Sequence, residues 1–395
     1  MENSIKECSN EQNPTNIDVT DLDEETVKKL KGDAIGDTLY SQSFVLKTLL
    51  KFSDLQWNDQ VEEDLCFLWD MTVEKDVCEF LLNMSFPSVA CSAMLQYDDN
   101  NRFLEIVLGI LANIFCSGCV NVMSKNELDI ILCLINSDDP LILIQLIRFI
   151  STSAITSKVL FQLVDDRFLQ QISFILKSSI NKELLLKTLE TLAKLTTGHK
   201  INDQLINYEI YESVIIGFKT IMNDYDFGSE TQEKSLSIKY MLENVTNICS
   251  FINKYNKREL LINIQSESNV FIDEVTKILN FYCHKENLLP VSDYFIFYMS
   301  AITYIFTNIE LKYCPELFLP VTKILEHIID IRDEVEELFN STLELEYYLI
   351  SISNQKNIEK DLKVLPKPKL KKVLNVINEN YSRFHFGKCI NISSL

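Results

Sequence analysis

VACSAML (89–95), DDNN (98–101) and FLEIVLGILANIF (103–115) spell a short apolar helix, a polar break and a longer apolar helix. The phrase returns as LDIILCLI (128–135), SDDP (137–140) and LILIQLIRFIST (141–152). It returns again as FLQQISFIL (168–176), SSIN (178–181) and KELLLKTLETLAKL (182–195). Each copy starts about forty residues after the last, and a helix pair of this kind cannot bury its apolar face alone. Copies that cannot stand singly must stack.

The period is that of armadillo and HEAT units. The expected fold is therefore all-α, an armadillo/HEAT-like right-handed solenoid of about six or seven helical units. Upstream, helical spacing begins at SFVLKTLLKF (43–52), with Ser43 as N-cap, and continues through Val61–Met71 and Val73–Asn83, with Thr72 capping the latter. Downstream the phrase loosens into pairs at Tyr208–Met222 and Glu233–Phe251, Asn269–Cys283 and Pro290–Asn308, and Pro315–Ile329 and Arg332–Ile352. Ile262–Ser268 reads as a loop, and the charged sixth pair as a polar end of the array. Three regions result: an acidic leader over 1–31 expected to be disordered, a solenoid over 32–353, and a basic linker with a short C-terminal helix over 354–395.

Composition agrees. Apolar residues are 47% of 395, and only 8 Gly and 8 Pro punctuate the chain, few for an all-β protein of this size. The net charge of −20 repels phosphate backbones, so no direct nucleic-acid binding is expected. Lys363–Lys372 (KVLPKPKLKK) is the basic exception, open to reading as a nuclear localisation signal or as a solvated linker. Eleven cysteines, such as Cys66, Cys78, Cys133 and Cys249, lie within apolar segments, as small core residues of a reducing compartment do. The polar N-terminus MENSIKECSNEQ reads as no signal peptide. Phe103–Met123 is apolar enough for a membrane span with Glu105 its one charge, but its sister copies carry Arg148 and Lys187, so a buried solenoid helix is the better reading and no membrane partner is expected.

Chemistry is sparse. Cys116 and Cys119 form a CxxC pair that ends an apolar helix at Gly118, without the second ligand pair of a zinc site. His199, His284, His327 and His385 are far apart and lack ligand spacing. No Gly-rich phosphate loop, GxSxG or HExxH occurs. The expectation is no enzyme, no cofactor and no metal, with a cryptic redox or hydrolytic protein the remote alternative. A peptide groove would want amides repeated along the inner helices. Asn113 stands at such a position, but its counterparts forty residues on are Ser153 and Lys194, so Asn113 is expected to bond a neighbouring loop.

Three segments carry more than helix. GDAIGDTLYSQSFVLKTLL (32–50) presents Gly32, Asp33, Ile35, Gly36, Thr38, Tyr40 and Ser41. LCFLWDMTVEKDVCEFLLN (65–83) presents Trp69, Asp70, Met71, Thr72, Asp76, Val77, Phe80 and Leu81, and EIVLGILANIFC (105–116) presents Gly109, Ile110, Leu111 and Asn113. In order and spacing these segments resemble the serum amyloid A-like protein family, also called synoviocyte proliferation-associated proteins. The resemblance implies an armadillo-like helical protein, nuclear in relatives, that supports cell proliferation and has no known enzymatic activity. It transfers no catalytic residue.

The reading is thus an intracellular scaffold or adaptor of the nucleus, with the cytoplasm a further location, acting on protein partners of unknown identity. A transport adaptor carrying cargo on its concave face is the alternative. Gly32, Asp33, Gly36, Tyr40, Ser41, Trp69, Asp70, Met71, Asp76 and Asn113 are the candidate interface or end-cap residues. In the first motif the glycines permit tight backbone geometry, Asp33 can cap and Tyr40 can fold over the first helix. Trp69 suits a packing anchor or an interface anchor.

Overall fold

The polar breaks of the repeat are helix starts. Asn100, Asn181, Asn207 and Ser292 each accept the backbone N–H three residues on, and so does Ser41 upstream of the copies. At the break before Leu141, Asp139 Oδ1 accepts the Leu141 N–H at 2.8 Å, with Pro140 at the first helical position. Each such cap satisfies an orphan donor and contributes about 1 kcal/mol.

A computed structural model describes residues 32–118, 123–154, 166–197, 206–223, 231–311, 314–353, 358 and 366–380. These residues are all-α, a helical-repeat solenoid with one isolated β-bridge, Ala34 to Ser41. Contacts divide the chain into two compact units, Met1–Gln96 and Tyr97–Leu395.

The first unit holds α1 (Gln42–Leu50), α2 (Asp59–Met71), α3 (Lys75–Asn83) and α4 (Phe86–Gln96). Val45, Leu65, Leu68, Met71, Val77, Leu81 and Phe86 form its core, with the Phe52 ring tilted against Phe86 at 6.2 Å.

The second unit builds two layers. Its helices are α5 (Asn101–Cys116), α6 (Lys125–Cys133), α7 (Pro140–Ala154), α8 (Asp166–Ser178), α9 (Lys182–Thr196), α10 (Tyr208–Met222), α11 (Gln232–Tyr255), α12 (Arg258–Ser266), α13 (Asn269–Tyr282), α14 (Lys285–Leu288), α15 (Asp293–Ile309), α16 (Pro315–Ile328), α17 (Glu336–Ile352) and α18 (Lys367–Asn380). The long helices α5, α7, α9, α11, α15 and α17 pack each on the next as one row, while α8, α10, α13, α16 and α18 form the other. Leu, Ile and Phe residues fill the space between, each worth about 1.5–3 kcal/mol when fully buried. Phe115 meets Phe149 edge-on at 4.8 Å between α5 and α7, and Tyr282 stacks on Phe295 at 4.1 Å between α13 and α15.

Several boundaries differ from expectation. The N-cap of α1 is Ser41 rather than Ser43, whose N–H and hydroxyl turn to Asp33 instead. Thr72 ends α2 rather than starting α3, because its hydroxyl bonds the Trp69 carbonyl at 2.5 Å. The expected loop Ile262–Ser268 is helical to Ser266: Ile264 is buried and Gln265 Nε2 bonds the Ile309 carbonyl at 2.6 Å. The basic run is no simple linker, since from Lys367 it is helical and Val373, Val376 and Ile377 of α18 are buried. Lys369 and Lys372 there pair with Glu326 at 3.0 Å and Asp330 at 2.6 Å. The sixth pair is accordingly not the end of its layer, for α18 packs on α16. The leader 1–31 and the start of the basic run lie outside the described residues. So do Cys119, His199 and His385.

No single helix among the described residues is long and apolar enough to cross a membrane. The apolar stretch of α5 is core: Phe103 through Ala112 are buried, Glu105 among them, its carboxylate paired with Arg102 at 2.7 Å.

Candidate functional site

Two places collect polar groups into an arrangement. The first is the loop 32–41 that precedes α1. Gly32 and Gly36 both take positive φ, +57° and +56°, which lets the chain reverse twice in few residues. Ile35 N–H bonds the Tyr40 carbonyl at 2.8 Å, Thr38 Oγ1 bonds the Ile35 carbonyl at 2.7 Å, and Ile35 itself is buried. The Asp33 carboxylate accepts the Ser41 hydroxyl, the Ser43 N–H at 3.1 Å and the Ser43 hydroxyl at 3.0 Å. The Ser41 bond is the largest influence holding its carboxyl below the usual range, with Ser43 adding to it.

Asp76, in the first turn of α3, reaches this loop. Its Oδ2 accepts the Asp37 N–H at 2.8 Å, and Gly36 passes so close that a Cβ there would lie 2.0 Å from the same oxygen. Two segments far apart in sequence are thus keyed together. The Tyr40 ring meets Phe67 of α2 edge-on at 5.9 Å, and Phe67 in turn meets Phe44 of α1 edge-on at 5.2 Å. Phe67, Leu39, Leu46 and Leu50 are exposed.

Of the second segment it is Asp76 that reaches the loop. Met71 is core, Asp70 is exposed and Trp69 is half-buried. Its neighbour Phe67, which lies in the same segment but is not among its matched residues, meets Tyr40.

The second arrangement is a polar seam along the row of long helices. Asn113 Oδ1 accepts Arg148 Nη2 at 3.1 Å, which makes the next helix, α7, one of its partners; the loop that follows α5 lies largely outside the described residues. Lys194 Nζ bonds Ser151 Oγ at 3.0 Å, joining α9 to α7; the Ser153 side chain lies outside the described set. Asn247 Nδ2 on α11 bonds the Ala193 carbonyl at 3.2 Å and the Thr196 and Thr197 hydroxyls at 3.0 Å each. Asn244, buried, bonds the Leu189 carbonyl at 2.9 Å. Ser250 meets Tyr304 OH at 3.0 Å and Asn253 meets Asn308 at 2.6 Å between α11 and α15. Ser300 meets Ser341 at 3.0 Å between α15 and α17.

Every adjacent pair in the row is thereby bridged, and the amides are spent on neighbouring helices. Charge lies unevenly along it. Lys187 and Lys194 both contact Glu190, at 3.0 and 2.7 Å. Burial pushes the Glu190 carboxyl up, but the two ammonium groups outweigh it and hold it below the usual range. Tyr240 on α11 is pushed up to about 12, first by burial and then by Glu190 and Glu243. At the α17 end, Glu336, Glu337, Asn340, Ser341 and Glu344 line a shallow cleft of about 490 Å³, where burial raises Glu344.

No group of three or more potential metal ligands occurs among the described residues. His327 sits 3.3 Å from Glu326. Burial pushes the Cys249 thiol up strongly and Cys314 up to about 11, which makes both poor nucleophiles near neutral pH. Cys116 is exposed at the end of α5.

No protein-family model matches the chain. It is similar to Protein saal1 of Danio rerio, 32% identical over 195 residues, which cover 44% of this chain and 41% of that protein. Similarity to Protein SAAL1 of Homo sapiens is 30% over 189 residues, 42% of this chain and 40% of the relative. The matched stretch thus spans about two fifths of the length of these relatives. Among solved structures, a designed armadillo repeat protein aligns with a TM-score of 0.45 and 12% identity over 66% of this chain and 97% of its own. An engineered protein aligns over 92% of this chain and 96% of its own, with a TM-score of 0.42 and 13% identity.

Proposed function

We propose that this protein is a non-catalytic scaffold or adaptor that works by binding other proteins along its row of long helices. The observation that carries this reading is the seam, a polar, half-exposed strip running unbroken over α5, α7, α9, α11, α15 and α17. A strip of that length offers many weak contacts to a long partner, the mode of action that solenoids favour. The raised thiols support the non-catalytic part. A nuclear location and a role in proliferation are added to the proposal on the family resemblance alone.

The transport-adaptor reading draws less support. It asks for amides free to hold cargo backbone, whereas Asn247 and Asn253 hold neighbouring helices. The test is proximity labelling in cells with the wild-type chain and with a variant altered on the seam. Labelled proteins that disappear in a folded seam variant support the scaffold. A labelled set no different from that of an inert control removes it.

A further inference from the structure

The middle of the seam is where charge is least balanced. Arg148 donates to two neutral oxygens, Gln145 Oε1 at 2.5 Å and Asn113 Oδ1 at 3.1 Å, and has no carboxylate partner among the described residues. On α9, Lys187 and Lys194 have one carboxylate between them, that of Glu190. Both lysines keep more than a third of their side-chain surface open, 38% and 37%, while Glu190 keeps 17%. The patch therefore carries two positive charges beyond those it neutralises, on a chain of net charge −20.

Its geometry suits more than one contact. Lys187 and Lys194 are two helical turns apart on one stripe of α9, a rise of about 10 Å. Arg148 stands on the adjacent helix α7, and Lys194 touches that helix through Ser151. Toward α17 the sign reverses, with Glu336, Glu337 and Glu344 around their cleft.

We propose that the α7–α9 stretch of the seam docks an acidic protein segment, whose carboxylates bind Arg148, Lys187 and Lys194. This rests on the scaffold reading and adds the chemistry of the partner. Charge complementarity selects the occupant. A basic segment would meet three cations, and a nucleic acid carries one charge about every 1.7 Å and would run from this small patch onto the acidic end. Glu190 is the internal competitor: a bound carboxylate supplies the second anion that the two lysines lack.

Fluorescence anisotropy with the full chain and a fluorescein-labelled oligoglutamate peptide tests the proposal. An oligolysine peptide and a single-stranded oligonucleotide serve as competitors, and circular dichroism melts check that each variant folds. Oligoglutamate is expected to bind, more weakly as salt rises, and K187Q/K194Q is expected to weaken it about tenfold. E190Q removes the competitor and is expected to tighten binding about two- to fivefold, where a purely structural Glu190 would give no gain. Binding indifferent to K187Q/K194Q, or the oligonucleotide or oligolysine binding more tightly, overturns the proposal. If seam variants lose labelled partners in cells while oligoglutamate fails to bind, this inference falls and the scaffold stands. If oligoglutamate binds through these lysines but no cellular partner depends on them, the scaffold falls and the acidic-segment site stands.

Discussion

Replacing Gly36 by alanine is expected to destabilise the first unit by about 2–4 kcal/mol. Two effects add. At φ +56° an L side chain pays about 1–2 kcal/mol for the left-handed conformation. The new Cβ would also lie 2.0 Å from Asp76 Oδ2, 2.5 Å from its Cγ and 2.8 Å from its Cβ, so the carboxylate must leave. Its departure forfeits the Asp37 N–H bond, for which about 1–2 kcal/mol is fair, since bonds to charged acceptors give about 1.5–3 kcal/mol and this one is open to water. Both tryptophans, Trp57 and Trp69, lie in this unit, so urea unfolding followed by tryptophan fluorescence reports on it directly. D76A alone should cost only the bond, about 1 kcal/mol, and G36A/D76A should cost less than the two singles combined by about 1 kcal/mol. A G36A loss under about 0.5 kcal/mol, or strict additivity in the double variant, would refute the keyed-loop account.

Other perturbations separate further parts of the structure. Asp33 is held below its ordinary range by Ser41 and Ser43, so its contribution is present above the usual carboxylate pKa and lost as pH falls through the depressed folded value; D33N should lower the urea midpoint at neutral pH and flatten that acid-side loss in tryptophan fluorescence. Glu346 behaves oppositely. Burial pushes it up to about 8 against the Thr322 hydroxyl at 2.7 Å, so stability is full below the unfolded carboxyl pKa and declines as pH rises toward 8. E346Q should flatten that decline and be more stable than wild type at pH 8 by about 1–3 kcal/mol in thermal melts. Asn244 donates to the Leu189 and Tyr240 carbonyls at 2.9 and 2.8 Å, so N244A should cost about 1–2 kcal/mol and N244D more, because a carboxylate would face those oxygens in a buried site.

The helical repeat was readable because its polar breaks serve two ends at once. Asn100, Asp139 and Asn181 separate the apolar runs and also cap the helices that follow, so composition and local chemistry agree. The seam was not readable at a fixed period of forty. Its bonded partners are 35 residues apart at Asn113–Arg148 and 43 at Ser151–Lys194. They stretch to 54 at Ser250–Tyr304, where the short helices α12 and α14 are inserted, and return to 41 at Ser300–Ser341. Stepping forty from Asn113 lands on Ser153 and misses Arg148, so the row looked broken. A better signal was present in Lys187, Glu190 and Lys194, three charges on one stripe of α9. The loop motif displayed its glycines, but nothing in sequence tied Gly36 to Asp76, since that contact depends on how α3 packs. Thr72 misled for a related reason: a threonine between two helices can cap either, and its hydroxyl chose the carbonyl behind it.

The account stands or falls on whether the seam is where partners bind. Proximity labelling in cells, comparing the wild-type chain with R148E/K187E/K194E at matched expression and with matched melting curves, measures this directly. The account predicts that a defined set of labelled proteins is lost in the charge-reversed chain and retained when Asp33 or Gly36 of the 32–41 loop is altered. Labelling that survives charge reversal of the seam, or is lost only with the loop variants, would contradict it.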